Sequence, residues 1–191
     1  ITNAEDGQWI FLEKLTLNDI EKVDSCQIKN ESFSFNYKSD SINFYRISES
    51  EKNYGLIAIQ NTDTIVFKAD ISSLVNFQAS GSKEVEGNTQ LLEIINSIKP
   101  KTDSLKIIYQ KSVGTVEESI VLERIRKRYD SIILQQKEDL KRFIDDNPNL
   151  FINLITLQQL GDVSKYFNYY QKVSSNLDSL YPNNFWVNDI K

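Results

Sequence analysis

The fold is decided by a long stretch that reads TVEESIVLERIRKRYDSIILQQKEDLKRFIDDNP and spans residues 115–148. Its apolar residues recur at spacings of three and four, which places them on one face of a helix. This face consists of Leu122, Ile125, Tyr129, Ile132, Ile133, Leu140 and Phe143. The helix ends before Pro148, because the residue preceding a proline is disfavoured in the α-helical region. The sequence therefore predicts one long amphipathic helix, with strands mostly before it and shorter helices after it.

The composition is that of a folded protein with a sizeable core. The chain has 191 residues, of which 40% are hydrophobic and 11% aromatic, and its net charge is −5. This negative charge disfavours nucleic acid as a partner, and no apolar run approaches the length needed to cross a bilayer. The chain begins at Ile1 and contains no Met, which we expect of a processed or trimmed piece of a longer protein.

The residue types that usually carry catalysis are scarce. There is a single cysteine, Cys26, and no histidine, so the chain has no CxxC redox pair, no usual general base and no imidazole metal ligand. We therefore expect no catalytic residue, no cofactor-binding residue and no metal site in this chain, and hence no enzyme. A His-free enzyme that uses paired carboxylates is the least favoured alternative.

Residues 1–80 carry the strand signal. Phe33, Phe35 and Tyr37 alternate with polar residues, which is the clearest period-two pattern in the chain and predicts a half-buried strand. Further strands are predicted at residues 8–15, 23–28, 41–47, 56–60, 64–69 and 75–79. Strands this short and this closely spaced favour an antiparallel meander or sandwich over βαβ units.

The remainder of the chain is predicted to be mainly helical. Asn88 is expected to cap a helix that ends near Pro100, and residues 102–110 suit either a helix or a strand. Residues 150–157 are apolar on every side, which predicts a short helix that is buried all round. A last helical stripe is formed by Val163, Tyr166, Phe167, Tyr170, Val173, Leu177 and Leu180.

The order of these elements predicts an α+β fold. An N-terminal antiparallel sheet or small sandwich would form a β-rich domain at residues 1–86. A helical layer built on the long helix would form a second domain at residues 87–191, packed on the first. The two could equally be one composite domain, since no low-complexity linker separates them.

Several small clusters invite a functional interpretation, and each has a simpler structural one. The basic run at residues 123–128 could bind nucleic acid, but the negative net charge and the lack of an accompanying motif favour a solvated helix face. Asp145 and Asp146 are adjacent and do not face each other, so we interpret them as part of a helix end rather than as an acid–base pair. Cys26 is interpreted as a small buried hydrophobe, and residues 80–83 as a connection from a strand to a helix.

Three residues lie away from the predicted core faces. Ile120 and Leu134 fall on the otherwise polar side of the long helix, and Tyr169 falls off the stripe of the last helix. Single apolar residues are common on surfaces, but these could also mark where a second domain or subunit docks. We therefore take Ile120, Leu134 and Tyr169 as the candidate docking surface.

Several short motifs carry a resemblance to a known family. They are GQWIFLEKL at residues 7–15, VDS at 23–25, SFSF at 32–35, SGS at 80–82 and FIDDNP at 143–148. In this order they resemble the β-rich N-terminal domain of unassigned function that precedes the thioredoxin-like domain in AhpC/TSA-family thiol–disulfide oxidoreductases of Bacteroidetes. The similarity extends over nearly the whole chain, with two departures. The family usually has a strand before the one that begins at Gly7 and Gln8, and here almost nothing precedes that strand. The CxxC-bearing domain expected after Lys191 is also absent.

The resemblance implies a non-catalytic accessory domain of an extracytoplasmic, often lipid-anchored protein whose redox chemistry belongs to the thioredoxin-like domain. That domain of the same polypeptide is the expected partner, with a homodimer as a further expectation and a membrane reached only through a lipid anchor. The role would be docking, client recognition or dimerisation, and no catalytic residue carries over onto this chain. The alternative is a free-standing cell-envelope module that binds a peptide or glycan on an open sheet face bearing Ser32, Ser34 and Asn36.

Overall fold

The structure, a computed structural model that describes residues 1–61 and 63–190, consists of a sheet region followed by a helical region. The strands are β1 (Trp9–Leu15), β2 (Ile20–Gln27), β3 (Asn43–Ser50), β4 (Asn53–Ile59), β5 (Val66–Lys68) and β6 (Gln78–Ser80). The helices are α1 (Lys83–Asn96), α2 (Lys99–Ser112), α3 (Glu118–Asp146), α4 (Asn153–Leu160), α5 (Phe167–Leu180) and α6 (Phe185–Asn188). A 3-10 helix at Ile71–Asn76 lies between β5 and β6. The predicted α+β class and the long helix, α3, are confirmed.

The main sheet is antiparallel and has the strand order β2-β1-β3-β4, while β5 and β6 pair in a separate two-stranded sheet. Side chains alternate between the two faces of the main sheet. Ile10 and Leu12 of β1 lie on the face that we call inner, and Phe11 and Glu13 lie on the outer face. The inner face is covered by the 3-10 helix and the small sheet, and one end of the outer face is covered by the helices.

The strand predicted at residues 33–37 does not form. Residues 33–39 belong to no strand, and they follow a tight turn in which Asn30 and Glu31 have positive φ values of 49° and 55°. The three aromatic rings of the segment still alternate inward, and they pack against the inner face of the main sheet. The predicted alternation is therefore right and the predicted pairing wrong, because pairing needs a neighbouring strand that a local pattern does not specify.

Three other predicted boundaries are corrected. Residues 75–79, predicted as a strand, contain the end of the 3-10 helix and the start of β6. Helix α1 begins before Asn88, and its cap is Ser82, whose Oγ accepts the Val85 N–H at 3.5 Å. Pro100 lies in the first turn of α2 rather than ending a helix, where its missing N–H costs no intrahelical bond. The helical alternative for the residues after Pro100 is thereby confirmed.

The first core lies between the inner face of the main sheet and the layer that covers it. It consists of Ile10, Leu12, Ile28, Tyr45, Ile47, Ile57, Ile71, Leu74, Phe77, Ala79 and Val85. The edge of β4 that faces away from β3 is covered as well. Asn53 Nδ2 donates to the Ile71 carbonyl at 2.6 Å, and Asn88 Nδ2 donates to the Leu56 carbonyl at 2.6 Å. These bonds occupy an edge that could otherwise pair with another chain.

The second core lies between the outer face of the main sheet and the helices. It consists of Ile42, Phe44, Ala58, Leu91, Leu140, Phe143, Ile144, Phe151, Ile152, Leu154, Leu157, Leu160, Val173, Leu177 and Val187. The Phe44 ring of β3 lies 4.8 Å from the Phe151 ring and 5.6 Å from the Trp186 ring, measured between centroids. The predicted boundary between residues 86 and 87 falls inside α1, whose Val85 lies in the first core.

Glu84 ties α1 to the segment that precedes α4. Its carboxylate is buried and accepts the Phe151 N–H at 2.8 Å and the Ile152 N–H at 3.2 Å. Burial raises the pKa of this carboxyl to about 6, although the two N–H donors act in the opposite direction. The two backbone N–H groups are thus satisfied by one side chain from a different part of the chain.

Helix α3 is buried at one end only. Its buried residues, Leu140, Phe143 and Ile144, lie in its last two turns. The remainder packs mainly on α2, so α2 and the first half of α3 form a two-helix arm at residues 99–130. With 29 residues, α3 is about 44 Å long at 1.5 Å per residue. The phase of the predicted stripe is right, but Tyr129 on that stripe is 47% exposed.

Candidate functional site

A groove on the inner face of the main sheet is a candidate binding cavity. Its volume is about 360 Å³, which lies within the range of ligand pockets in proteins. The floor is made by Leu12 of β1, Ile47 of β3, and Ile57 and Ile59 of β4. These side chains point to the same face because they occupy alternate positions on antiparallel strands. The floor is therefore fixed by the register of the sheet.

Two extended segments form the walls of the groove. The first wall is residues 33–37, and the second wall is residues 63–67. The rings of Phe33 and Phe67 meet edge to face with centroids 6.2 Å apart, so the walls touch at that point. Phe35 lies 5.4 Å from Phe33 and continues the aromatic lining. The groove is thus apolar on its floor and has aromatic rings on both sides.

The first wall is tethered to β2 through alternate residues. The Ser34 backbone N–H donates to the Cys26 sulfur, and the Asn36 backbone N–H donates to Asp24 Oδ2 at 3.3 Å. Backbone groups of successive residues in an extended chain point to opposite sides. The odd-numbered residues of the first wall therefore direct their N–H and C=O groups away from β2 and toward the groove. No backbone–backbone hydrogen bond joins the first wall to another residue among those that the structure describes.

Asp63 supplies a negative charge to the lining. Its Oδ2 accepts the Gln60 backbone N–H at 2.9 Å, which fixes the carboxylate at the start of the second wall. Ser34 and the hydroxyl of Tyr37 are further polar groups of the lining. An acidic group at one end of an apolar groove favours a ligand that carries a positive charge at that end.

Cys26 lies beside the first wall and packs against the first core. Burial raises the pKa of its thiol, the hydrogen bond from the Ser34 N–H offsets part of this shift, and the charge of Asp24 adds to it. The thiolate is the reactive form of cysteine, so a raised pKa makes Cys26 a poor nucleophile near neutral pH. The half-buried position agrees with the predicted role of a small hydrophobe.

The uncovered end of the outer sheet face carries an aromatic platform. The rings of Trp9 and Phe11 are parallel to within 8° with centroids 6.4 Å apart, and Trp9 is 50% exposed. Lys22 Nζ lies 3.9 Å from the centroid of the Phe11 ring, in cation–π geometry. This platform faces away from the groove.

An ion pair lies next to the aromatic platform. Arg46 donates to Glu13 Oε2 from Nε at 3.0 Å and from Nη2 at 2.7 Å, and Ser48 Oγ donates to the same oxygen at 2.8 Å. The Arg46 guanidinium also lies 4.6 Å from the centroid of the Tyr54 ring. Both charged side chains are more than four-fifths buried, so their geometry is constrained by packing.

The predicted docking residues do not form one surface. Ile120 and Leu134 are 59% and 58% exposed, but 14 residues of helix separate them by about 21 Å. Tyr169 is partly buried against the second core, and its hydroxyl donates to Asp145 Oδ2 at 3.3 Å. The expectation that Tyr169 lies off the packed face was wrong; on the same helix it is Phe167 that is exposed.

The other predicted clusters have structural positions. Lys127 pairs with Glu123 at 2.8 Å on an exposed helix face, as the solvated interpretation of that run predicted. Asp145 lies in the last turn of α3 and pairs with Lys172 at 2.7 Å. Residues 80–83 connect β6 to α1, as predicted.

The polar surface predicted for the alternative binding module is not on a sheet. Ser32, Ser34 and Asn36 are exposed, but they belong to the turn and to the unpaired first wall rather than to a strand face. The main sheet has its inner face covered by the first wall and the small sheet. The open part of the sheet is instead the outer face around Trp9.

Residues 1–61 and 63–190 contain neither a candidate metal site nor a candidate membrane-spanning helix. In that part of the chain no three His, Cys, Asp or Glu residues are placed so that they could hold a metal ion. Nor does any helix there combine the length and the apolar character that a membrane crossing requires.

Sequence reasoning missed the groove and the platform. The groove is assembled from residues far apart in the chain, such as Leu12 and Phe67, and the platform depends on which part of the outer sheet face the helices leave uncovered. The one usable signal was the alternation at residues 33–37, which correctly placed three aromatic rings on one side. Residues 63–67 overlap the strand predicted at 64–69, but that pattern does not indicate that they lie across a groove from residues 33–37.

Comparison with known proteins adds one match. Residues 1–88 match the model of a family described as a domain of unknown function, DUF4369. The match covers both sheets and the start of α1, so the groove and the platform lie inside it. No curated protein and no solved structure matches the chain.

Proposed function

We propose that this chain is a non-catalytic accessory module of an extracytoplasmic thiol–disulfide oxidoreductase of the thioredoxin-like, AhpC/TSA type. The redox cysteines would belong to a thioredoxin-like domain of the same polypeptide, and a lipid anchor outside this chain would hold the protein at the cell envelope. The sequence motifs at residues 7–15, 23–25, 32–35, 80–82 and 143–148 motivate the proposal.

The observation that carries the proposal is the state of Cys26. It is the only cysteine, it is half-buried, and burial raises the pKa of its thiol. Thiol–disulfide exchange needs an accessible thiolate and usually a resolving cysteine. A chain with this single thiol is suited to support such chemistry on a neighbouring domain rather than to perform it.

Insulin reduction by dithiothreitol, with and without the isolated chain, tests the proposal. We expect the chain to leave the rate of insulin precipitation unchanged, and Cys26→Ser to behave like the unsubstituted chain. Catalysis by the isolated chain that disappears in Cys26→Ser would overturn the proposal. The full-length gene product, assayed beside a variant that lacks residues 1–191, shows whether the module alters kcat/KM for a protein client.

The arm is the part of the chain best suited to dock on the catalytic domain. Its exposed apolar residues are Ile107, Ile108, Tyr109, Val113, Val116, Ile120 and Tyr129. Residues 99–130 hold eight Lys or Arg against five Asp or Glu, whereas the whole chain has a net charge of −5. An apolar surface with an opposite local charge is the composition expected of an interaction surface.

Hydrogen–deuterium exchange tests the docking role of the arm. We expect amides of α2 and of the first half of α3 to exchange more slowly in the full-length protein than in the isolated chain. Ile120→Lys should reduce that protection. The control Val163→Lys should not, because Val163 lies outside the arm and is exposed to a similar extent, 54% against 59% for Ile120. Identical exchange in the two proteins would contradict docking through the arm.

A second candidate function is a free-standing envelope module that binds glycan on the outer sheet face. The stacked rings of Trp9 and Phe11 beside the Glu13–Arg46 pair favour it, because exposed aromatic faces and fixed charged hydrogen-bonding groups suit a sugar. Titration with chito-, malto- and cello-oligosaccharides should then change the tryptophan fluorescence of the unsubstituted chain. Trp9→Ala should abolish the change, and Trp186→Phe, on the helical side, should keep it.

A further inference from the structure

We propose that the groove between the first wall and the second wall binds an extended apolar peptide segment with a basic residue at the Asp63 end. The peptide would pair with the first wall as an added strand. The inference goes beyond the proposed function, since a free-standing module would have the same site.

The unpaired backbone of the first wall supports strand addition. Ser34 and Asn36 direct their N–H groups to β2, so the intervening residues direct theirs across the groove. This edge has no backbone partner among the described residues, and the alternating burial of residues 33–37 has the period of an extended chain. A peptide that lies along it gains main-chain hydrogen bonds.

The floor of the groove supports the apolar character of the ligand. Every second side chain of an added strand points the same way, about 7 Å apart. Those side chains would contact Ile59 and Val66 above the buried Ile47 and Ile57, while the intervening ones would face solvent. A volume of about 360 Å³ admits aliphatic side chains but not a folded domain.

Asp63 supports the position of the positive charge. It is the one acidic residue of the groove lining, and its carboxylate is held by the Gln60 N–H. A lysine or arginine of the ligand at that end would pair with it. The net charge of −5 adds a weaker long-range attraction for the same cationic peptide.

Fluorescence anisotropy with a labelled peptide, Lys-Val-Thr-Val-Thr-Val, tests the proposal. We expect saturable binding of the unmodified peptide. N-methylation of the alternate residues whose N–H groups face the first wall should weaken binding at least tenfold, because those groups then cannot donate main-chain hydrogen bonds. Replacing its lysine by norleucine should weaken binding to the unsubstituted protein and leave binding to Asp63→Asn unchanged. The comparisons of the three peptides on the unsubstituted protein need no protein variant.

Two matched variants locate the site. Val66 lines the groove and is 51% exposed, whereas Val163 lies in the helical region and is 54% exposed. Val66→Arg should reduce peptide affinity at least tenfold, and Val163→Arg should leave it unchanged, with circular dichroism showing that both remain folded.

Three results would overturn the proposal. They are no binding of the labelled peptide, equal binding of the N-methylated peptide, and equal affinity of Val66→Arg and Val163→Arg. A dimer in light scattering that the peptide does not dissociate, but that Val66→Arg does, would also overturn it, because a second copy would then be the occupant of the groove.

Discussion

The two ends of α3 share one periodicity and have opposite surroundings. Leu140, near the C-terminal end, is completely buried among α1, α4 and α5, whereas Leu134, less than two turns earlier, is 58% exposed. In the arm even residues of the predicted apolar stripe, such as Tyr129, are half exposed. An amphipathic pattern therefore specifies which face of a helix is apolar, and the remainder of the chain decides how much of that face is covered.

The largest expected contrast comes from the same substitution at these two leucines. Leu140→Ala should destabilise the protein by about 2 to 5 kcal/mol, because it removes buried methyl groups and leaves a cavity. Leu134→Ala should change the free energy of unfolding by less than about 0.5 kcal/mol, as is usual for exposed positions. Urea unfolding followed by circular dichroism measures both. Equal losses would show that Leu134 is covered in solution, for example by a second copy.

Two glycines with positive φ allow the same comparison between the arm and the rest of the described chain, which we call the body. A Cβ on Gly81, φ +110°, would lie 2.0 Å from the Thr64 carbonyl oxygen, whereas a Cβ on Gly114, φ +77°, would meet nothing within 4 Å. Gly81→Ala should cost about 2 to 4 kcal/mol through strain and overlap, and Gly114→Ala about 1 kcal/mol through strain alone. Thermal unfolding of the two variants gives the comparison. A similar cost at both would mean that the second wall moves aside freely.

Local patterns predicted the elements and failed at their long-range partners. The periods of α3 and of β1 are properties of contiguous residues, and the structure confirms them. Residues 33–37 have the period of a strand but no ladder, because the turn at Asn30 and Glu31 directs the chain over the sheet instead of along it. The turn itself has a local signal, because Asn tolerates positive φ, whereas the path of the chain after the turn is a tertiary outcome.

The candidate sites show the same limit. Ile120 and Leu134 were placed correctly on an exposed face, since helical phase alone decides that. Tyr169 was misplaced, because its burial depends on how α5 lies against α3, where its hydroxyl reaches Asp145. The groove could not be predicted, because its floor depends on the sheet order β2-β1-β3-β4.

The contact that Glu84 makes at the junction between the two cores should make the free energy of unfolding depend on pH. Burial raises the pKa of this carboxyl from 4.5 to about 6 in the folded state, so the folded protein binds the proton more tightly than the unfolded chain. Its contribution to stability is then greatest below pH 4.5 and falls by about 2 kcal/mol as the pH rises through 6. Urea unfolding of the protein at a series of pH values measures this loss.

Glu84→Gln supplies the control for the pH series. The amide keeps one acceptor oxygen for the Phe151 N–H and does not titrate, so its stability should lack the fall between pH 4.5 and 6. Hydrogen bonds from Ser72 and Ser164 lower the pKa values of Asp70 and Asp162. The stability that these two carboxylates contribute is therefore lost only at a pH below the range in which Glu84 titrates. A parallel pH dependence in the two proteins would contradict the assigned role of Glu84.

The smallest expected effects are the coupling energies of two ion pairs, one in the body and one in the arm. Arg46 and Glu13 are joined by two hydrogen bonds, and their side chains are 11% and 16% exposed, whereas Lys127 and Glu123 are 78% and 70% exposed. A double-mutant cycle to alanine should give a coupling energy of about 1.5 kcal/mol for the first pair, because both groups are held by packing. The second pair should give less than about 0.5 kcal/mol, since solvent screens it and its long side chains lose entropy on pairing. Raising the salt concentration should reduce the second coupling and leave the first nearly unchanged. A salt-resistant coupling in the arm pair would show that the arm surface is shielded from solvent, and the contrast between body and arm would then fail.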